Sequence, residues 1–403
     1  MKQYDLDALL ISGAMEHNPS LIYYIGNDAF FTFAEVLVTR DHEPVLFHRI
    51  MERDSAKATG LKTVCFDDMN IKQEPGLDSR AAQIVAELEY AGLTSGRVAF
   101  CGRVEFDSMF AAVCQVQEKL PKLQIVGGVG DSILMQARML KDADEIERIH
   151  KMCKINNTVV GRVEKFIASG HLNSEDKLMD PDGNPITIGR VKSLINLWLG
   201  ELGAENPEGT IFSMGRDAGV PHSQGNDAEV LEAGKTIVYD FFPCAMGGGY
   251  FSDFTRTWCI GYAPEKVKEL YAQVKEIHDL CAESAKPGMP FKKLQQLTCD
   301  YFKARGHAVP DGSAVTNGYV HSVGHGLGLN IHENPFSGLS SSEGPCDTLQ
   351  PGSVFTIEPG LYYPDGDPAF GIRIEDTYYM DQDGSVKPLT DYHYNLVIEV
   401  SKE

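Results

Sequence analysis

Five side chains of metal-ligating type, each set in a distinctive phrase, occupy the second half of this 403-residue chain. They are Asp240 in IVYDFF, Asp253 in GYFSDFTRT, His325 in HSVGHGLGLNIHE, Glu358 in FTIEPG and Glu375 in GIRIEDT. Four carboxylates and one imidazole form a hard, oxygen-rich donor set, suited to Mn, Fe(II), Co or Zn rather than to soft metals. Two divalent cations would cancel the four negative charges. One would leave the cluster anionic, and none would leave like charges crowded together. If they converge, the five residues therefore predict a two-metal site, able to bind and deprotonate a bridging water for hydrolysis.

The surrounding residues sharpen this reading. Asp240 lies in an apolar run, 236–242, that reads as a buried strand, where an ionised carboxylate needs a metal, an ion pair or a cap. Asp253 follows a glycine-rich turn, Gly247–Gly249, and a hairpin would set the two carboxylates side by side. Thr255 and Arg256 either orient ligands from behind or are ordinary strand polarity. His321, His325 and His332 interleave with Gly324, Gly326 and Gly328, and glycine lets a backbone approach an ion or ligand closely. His222, in GVPHSQ, stands alone in a loop and is open to either reading. Glu358 precedes Pro359-Gly360, which would end a strand at the ligand. Glu375 and Asp376 are neighbours in a predicted strand, 372–379, so only one faces the site. Asp376 reads as a structural acceptor, and Arg373 shares the face of Glu375.

These residues need a scaffold. Residues 1 to about 135 alternate predicted strands (8–11, 21–25, 35–38, 45–47, 97–100, 124–126) with predicted helices (81–91, 109–118), the pattern of an α/β layer domain. No chemical motif is visible there; GGVG at 127–130 lacks a phosphate-loop lysine and reads as a turn. A boundary falls within 131–141. Residues 136–403 form a second domain, opening on a helix with Asp142 and Glu145 in a capping-box arrangement. Ile146, Ile149, Cys153, Val160, Val163 and Ile167 keep its helical period. A second helix is predicted at 188–202. From Thr236 onward, apolar strands surround predicted helices at 265–285 and 291–305, giving an α+β class. Segments 141–242 and 265–358 share an element order, as a duplicated helix-helix-strand unit would.

Composition narrows the function. A net charge of −21 opposes nucleic acid or an anionic membrane as partner. No run of about 20 apolar residues is present to span a bilayer. The opening MKQYDLDALLISG lacks a signal-peptide layout, and nine cysteines without a CxxC pair read as reduced thiols. A cytoplasmic location is expected.

GYFSDFTRT, HSVGHGLGLNIHE, FTIEPG and GIRIEDT resemble the phrases of the metallopeptidases that comprise proline-specific peptidases and methionine aminopeptidase. The segment from His321 to Glu333 resembles the proline-peptidase branch throughout, and the resemblance runs from about Asp142 to the C-terminus. It implies a pita-bread catalytic domain with a smaller N-terminal domain like that of creatinase and prolidase. Asp240 resembles a terminal ligand of one metal, Asp253 and Glu375 the bridging carboxylates, and His325 and Glu358 ligands of the second metal. Glu358 also resembles the proton acceptor. His222, His321 and His332 resemble substrate-contacting histidines, and Arg373 an arginine behind the ligands. The implied activity is hydrolysis between an N-terminal residue and proline with two divalent ions, Mn first, with Co, Fe or Zn as alternatives; a proline-containing peptide and a second copy of the chain are the implied partners. A creatinase-like C–N hydrolase or a non-catalytic peptide-binding relative is the rival reading, although such relatives usually lose ligands that this chain keeps. The Asp240–Asp253 spacing is two residues longer than the pattern, which implies a bulged hairpin, and the 170–185 loop is also long.

Overall fold

The structure, a computed structural model, describes residues 1–72, 75–312 and 314–402, and only the backbone of Asp131. The chain divides into two units. One is Met1–Arg138 with Gly247–Gly249, and the other is the rest of the chain from Met139 onward.

The first unit is built on a six-stranded sheet, ordered Lys62–Cys65, Val45–His48, Ala34–Thr39, Ala8–Gly13, Gly96–Arg103, Leu123–Val126. Ala8–Gly13 runs antiparallel to Ala34–Thr39 and parallel to Gly96–Arg103. Helices Ser79–Tyr90 and Phe106–Lys119 bury Ile84, Val85, Leu88, Ala112 and Val116 against the sheet residues Leu10, Phe47 and Val98. Residues 21–25 are not the strand that their apolar, β-prone composition predicts but part of a helix, Pro19–Ile25. End signals outweigh composition here: the Asn18 side chain accepts from Leu21 N at 3.3 Å, and Pro19 occupies the first turn. Lys62–Cys65, too short and exposed to show a pattern, pairs at the sheet edge. The GGVG stretch is a turn only in part, since Gly130 opens the helix Gly130–Arg138.

In the second unit, helices Ala143–Ala168 and Ile188–Glu201 are followed by Ile211–Met214, Thr236–Asp240 and Thr255–Ile260, which form a four-stranded sheet with Val397–Ile398. The predicted capping box is present: Asp142 accepts from Glu145 N, and Glu145 reaches back to Asp142 N, both at 2.9 Å. Helices Glu265–Ser284 and Lys292–Ala304 are then followed by strands His325–Gly326, Glu333–Phe336, Val354–Ile357 and Asp376–Met380 of a second sheet. Each half has its own core, around Val160, Ile195 and Trp258 in one and Val274, Phe302 and Phe355 in the other. The 372–379 stretch is not one strand. Phe370–Arg373 pairs with Gly360–Tyr363, whereas Asp376–Met380 pairs with Val354–Ile357, and the chain changes sheet at Ile374–Glu375.

Arg256 locks this crossing from inside. It is 1 % exposed. Its guanidinium donates to the carbonyls of Thr255, Glu375, Tyr392 and His393 and to Asp376 Oδ1, all at 2.7–3.0 Å. Burial raises the Asp376 pKa, but Arg256 and His278 outweigh it and hold it at about 2. Asp376 is thus the structural acceptor its neighbour's position predicts.

A second buried polar cluster lies in the first unit. Both Nη atoms of Arg80 pair with Glu35, and Ser12 donates to Glu35 Oε1 at 2.5 Å. Gln83 Nε2 donates to Glu35 at 2.7 Å and to Glu87 at 3.0 Å. Glu87 is fully buried, and its Oε2 has no hydrogen-bond partner. Burial, and then the Glu35 charge, raise the Glu87 pKa well above the usual carboxylate value. Folded Glu87 therefore keeps its proton where the unfolded chain has lost it. The stability this provides is full below the unfolded pKa of about 4.3 and falls as pH rises towards the folded value, by about 1.4 kcal/mol per pH unit. Glu87→Gln removes the titration. Hydrogen exchange in Gly96–Arg103, compared pH by pH, should show protection in the variant gaining on the wild type between pH 5 and 8. A constant ratio would rule out the retained proton.

Candidate metal centre and active site

Thr255 organises the centre through its backbone. It is the register partner of Asp240 on one side and forms an antiparallel bridge with Glu375 on the other. The expected hairpin forms: beyond Asp240, Phe241 N donates to Phe254 O at 2.9 Å, Ser252 N to Pro243 O at 3.0 Å and Ala245 N to Tyr250 O at 3.1 Å. Thr255 faces Asp240, and Asp253 sits two residues earlier in an irregular segment. Further along the same hairpin, Cys244–Ala245 also pairs with Ala204–Glu205. His325 lies on a two-residue strand bonded to Glu333–Phe336 and Val354–Ile357, and Glu358 directly follows the latter. The neighbouring glycines serve backbone packing rather than approach to an ion. A Cβ on Gly324 would lie 2.1 Å from Thr356 O, and one on Gly326 would lie 2.2 Å from Asn334 O.

Asp240, Asp253, His325, Glu358, Glu375, His222, His321, His332 and Arg373 all line one cavity of about 500 Å³. Asp253, His325 and Glu375 each offer a donor atom within 4.8 Å of the others. His325 Nε2 is 3.5 Å from Asp253 Oδ2 and 3.6 Å from Glu358 Oε1. Thr255 Oγ1 donates to Glu375 Oε2 at 2.7 Å. Arg373, buried behind the carboxylates, donates to Asp240 Oδ2 at 2.5 Å and to Tyr362 Oη at 2.7 Å. His321 Nε2 lies 2.7 Å from the same Tyr362 oxygen, and its Nδ1 lies 2.7 Å from Ser322 O. His332 and His222 are exposed at the cavity wall, and the His332 ring meets that of His325 at 4.3 Å between centroids.

Two contributors carry little or no sequence signal. Tyr362 links Arg373 to His321; its only hint is that it shares a strand face with Gly360, just past Glu358. Gln295, on Lys292–Ala304, donates to His321 O at 3.2 Å and accepts from Val323 N at 2.6 Å, so it sets the histidine segment from an otherwise ordinary amphipathic helix.

The electrostatics match a cation site. Burial first, then neighbouring carboxylates, push the Asp253 and Glu375 pKa values well above normal. Burial also lifts Glu358, to about 8, with Arg373 opposing and Asp240 adding to the rise. Burial holds His325 and His321 at about 3, so both imidazoles are neutral, and a neutral imidazole is the form that binds metal. Asp240 Oδ1, in a residue only 9 % exposed, has no hydrogen-bond partner. An orphaned carboxylate oxygen beside three carboxyls that cannot all ionise is the donor set two divalent ions would complete.

The sequence model of metallopeptidase family M24 matches residues 147–382. The Xaa-Pro dipeptidase of Pyrococcus furiosus is 32% identical over 268 residues, covering 66% of this chain and 67% of that one. The fold is similar to that of the Pyrococcus furiosus prolidase (TM-score 0.71, 26% identity, 98% of each chain) and to that of the Thermotoga maritima X-Pro aminopeptidase (TM-score 0.74, 24% identity, 98% of each chain). The α+β pita-bread architecture expected from the motifs is the one observed.

Relief of carboxylate crowding should be measurable as stability. Titrating Mn(II) into chelator-stripped protein is expected to raise the unfolding free energy by about 2.7 kcal/mol at a hundredfold excess over Kd. The gain should saturate at two ions per chain, and Glu375→Gln should lower the bound equivalents. Calorimetry with metal analysis checks this; an unchanged thermal midpoint would exclude a cation site here.

Proposed function

We propose, for a chain that belongs to metallopeptidase family M24, hydrolysis of the peptide bond between an N-terminal residue and proline. The observation that carries the reading is the gathering of five metal donors, three further histidines and an arginine on one cavity. Asp240, Asp253, His325, Glu358 and Glu375 would hold two divalent ions. When bound, such ions polarise a carbonyl and make water acidic enough to attack it near neutral pH.

The chain's own groups do the rest. Glu358 is the proton carrier: with the carboxylate crowding relieved by bound cations, its carboxylate on the cavity wall can take a proton and return one to the departing proline nitrogen. Arg373 and Tyr362 fix the orientation of Asp240 and His321. His332 and His222, exposed at the wall, meet the substrate and the charge that develops on its carbonyl oxygen. Ile211, Phe242, Ile331 and Phe336 supply apolar surface for a proline ring, which brings no amide N–H that would need an acceptor. The oxygen-rich donors favour Mn(II) over softer ions. All nine cysteines are free, which supports a cytoplasmic setting, and among the described residues no helix is long and apolar enough to cross a membrane. Exposed, stacked Phe106 and Phe110 offer apolar surface for a homodimer contact.

Two measurements test this reading. On metal-loaded enzyme, kcat/KM for Ala-Pro or Ala-Pro-Ala should far exceed that for the alanine counterparts; equal values would remove proline specificity and leave a dinuclear aminopeptidase. Glu358→Gln should lower kcat by roughly 10²–10⁴. Near-normal turnover with both metals retained would take the proton-carrier role from Glu358.

A further inference from the structure

Glu208 lines the same cavity but is not one of the five metal donors. It stands in a turn closed by Gly209 N donating to Asn206 O at 3.2 Å, with Gly209 at φ +83°. The turn leads into Ile211–Met214, whose Ile211 pairs with Asp240, so Glu208 enters the cavity from the Asp240 side. Its backbone carbonyl accepts from Gln224 Nε2 at 3.5 Å, while its carboxylate forms no ion pair with any described residue. Among the described residues Arg373 is the one arginine or lysine on the cavity wall, and it is already bound to Asp240, Tyr362 and Thr255.

Two divalent ions would neutralise the four donor carboxylates. Glu208 would then be the wall carboxylate that neither the ions nor Arg373 holds, facing the substrate. We propose that Glu208 makes this cavity selective for peptides whose first residue carries a cationic side chain, lysine or arginine, ahead of proline. The inference rests on the peptidase reading above and adds a substrate class to it. An ammonium or guanidinium at the end of a flexible stem would reach the carboxylate while its methylenes lie along apolar wall residues such as Ile211. Because Glu208 is exposed, the preference should be modest and salt-sensitive. Exposed ion pairs correspond to about a 2- to 5-fold change in an equilibrium.

The test compares lysine with norleucine, which keeps the stem and drops the charge, in Xaa-Pro peptides with and without a following alanine. Metal-loaded wild type should favour the lysine peptide by about 2- to 5-fold in kcat/KM. The preference should fade as ionic strength rises, collapse towards unity in Glu208→Gln, and invert in Glu208→Lys. Equal rates for lysine and norleucine in wild type would overturn the inference while leaving the peptidase reading intact. An equal fall for both peptides in Glu208→Gln, with their ratio unchanged, would also overturn it, since Glu208 would then serve the α-ammonium that every substrate carries. Hydrolysis of neither peptide by metal-loaded enzyme would reject both readings.

Discussion

Four carboxylates gathered on one cavity repel each other, and the second unit is arranged to prevent them from dispersing. Without cations, protonation relieves what one arginine cannot, which is why burial and mutual charge raise Asp253, Glu358 and Glu375 together. One guanidinium, Arg373, reaches Asp240 directly. The remaining restraint is backbone geometry. Thr255 is bonded to the Asp240 strand on one side and to Glu375 on the other, so the spacing of those two carboxylates is set by a three-strand row rather than by side-chain preference. Arg256 then ties the carbonyls of Thr255 and Glu375 to one buried cation. A buried ion pair such as Arg256–Asp376 is weak evidence for added stability. Its more definite effect is geometric, because it leaves the chain one way to cross between sheets at Glu375.

How much of this was legible depended on whether a residue's chemistry contradicted its setting. Asp240 and Glu358 stand out because carboxylates within or beside apolar strand runs need an explanation. The three histidines of 321–332 stand out because their spacing fits no core. Asp376 was separable from Glu375 by strand alternation, and its contacts with Arg256, His278, Thr390 and Tyr394 are those of a structural acceptor. Tyr362 and Gln295 were not legible as site residues, since a tyrosine in a strand and a glutamine on a helix contradict nothing. Only the tertiary arrangement brings them beside Arg373 and His321. The sheet change at Ile374–Glu375 was equally hidden, because an apolar stretch looks alike whether it stays in one sheet or passes between two. The helix Pro19–Ile25 shows the opposite case. Its Asn-Pro start was in plain view and decided the element against composition.

The interglycine spacing in HSVGHGLGLNIHE also has a different cause from the one its chemistry suggests. Gly324 and Gly326 are needed because carbonyls of the adjoining strands occupy the space a side chain would take. Glu333, at the end of the phrase, is buried and paired with Lys141 at 3.0 Å, and it accepts from Asn330 N at 3.0 Å. The phrase is therefore partly a folding instruction. It packs a tight, irregular loop against its neighbours so that His325 points into the cavity and His332 stands beside it.

The histidines divide by solvent access, and that division bears on the chemistry. His325 and His321 are held neutral by burial, and His321 has both nitrogens engaged, one with Ser322 O and one with Tyr362. With Arg373 donating to the Tyr362 oxygen, the tyrosine hydroxyl is left to donate to His321, so donation runs outward from Arg373, to Asp240 on one side and through Tyr362 to His321 on the other. His321 in this arrangement has no free N–H to offer a substrate. His332 and His222, exposed on the same wall, do. Under the proposed function, contact with the substrate carbonyl is assigned to the two outer histidines, while the hydrogen bonds of His321 hold it against Tyr362 and the Ser322 carbonyl. The inner groups form a fixed electrostatic frame, and the outer ones retain the freedom to meet a peptide whose charge changes during reaction.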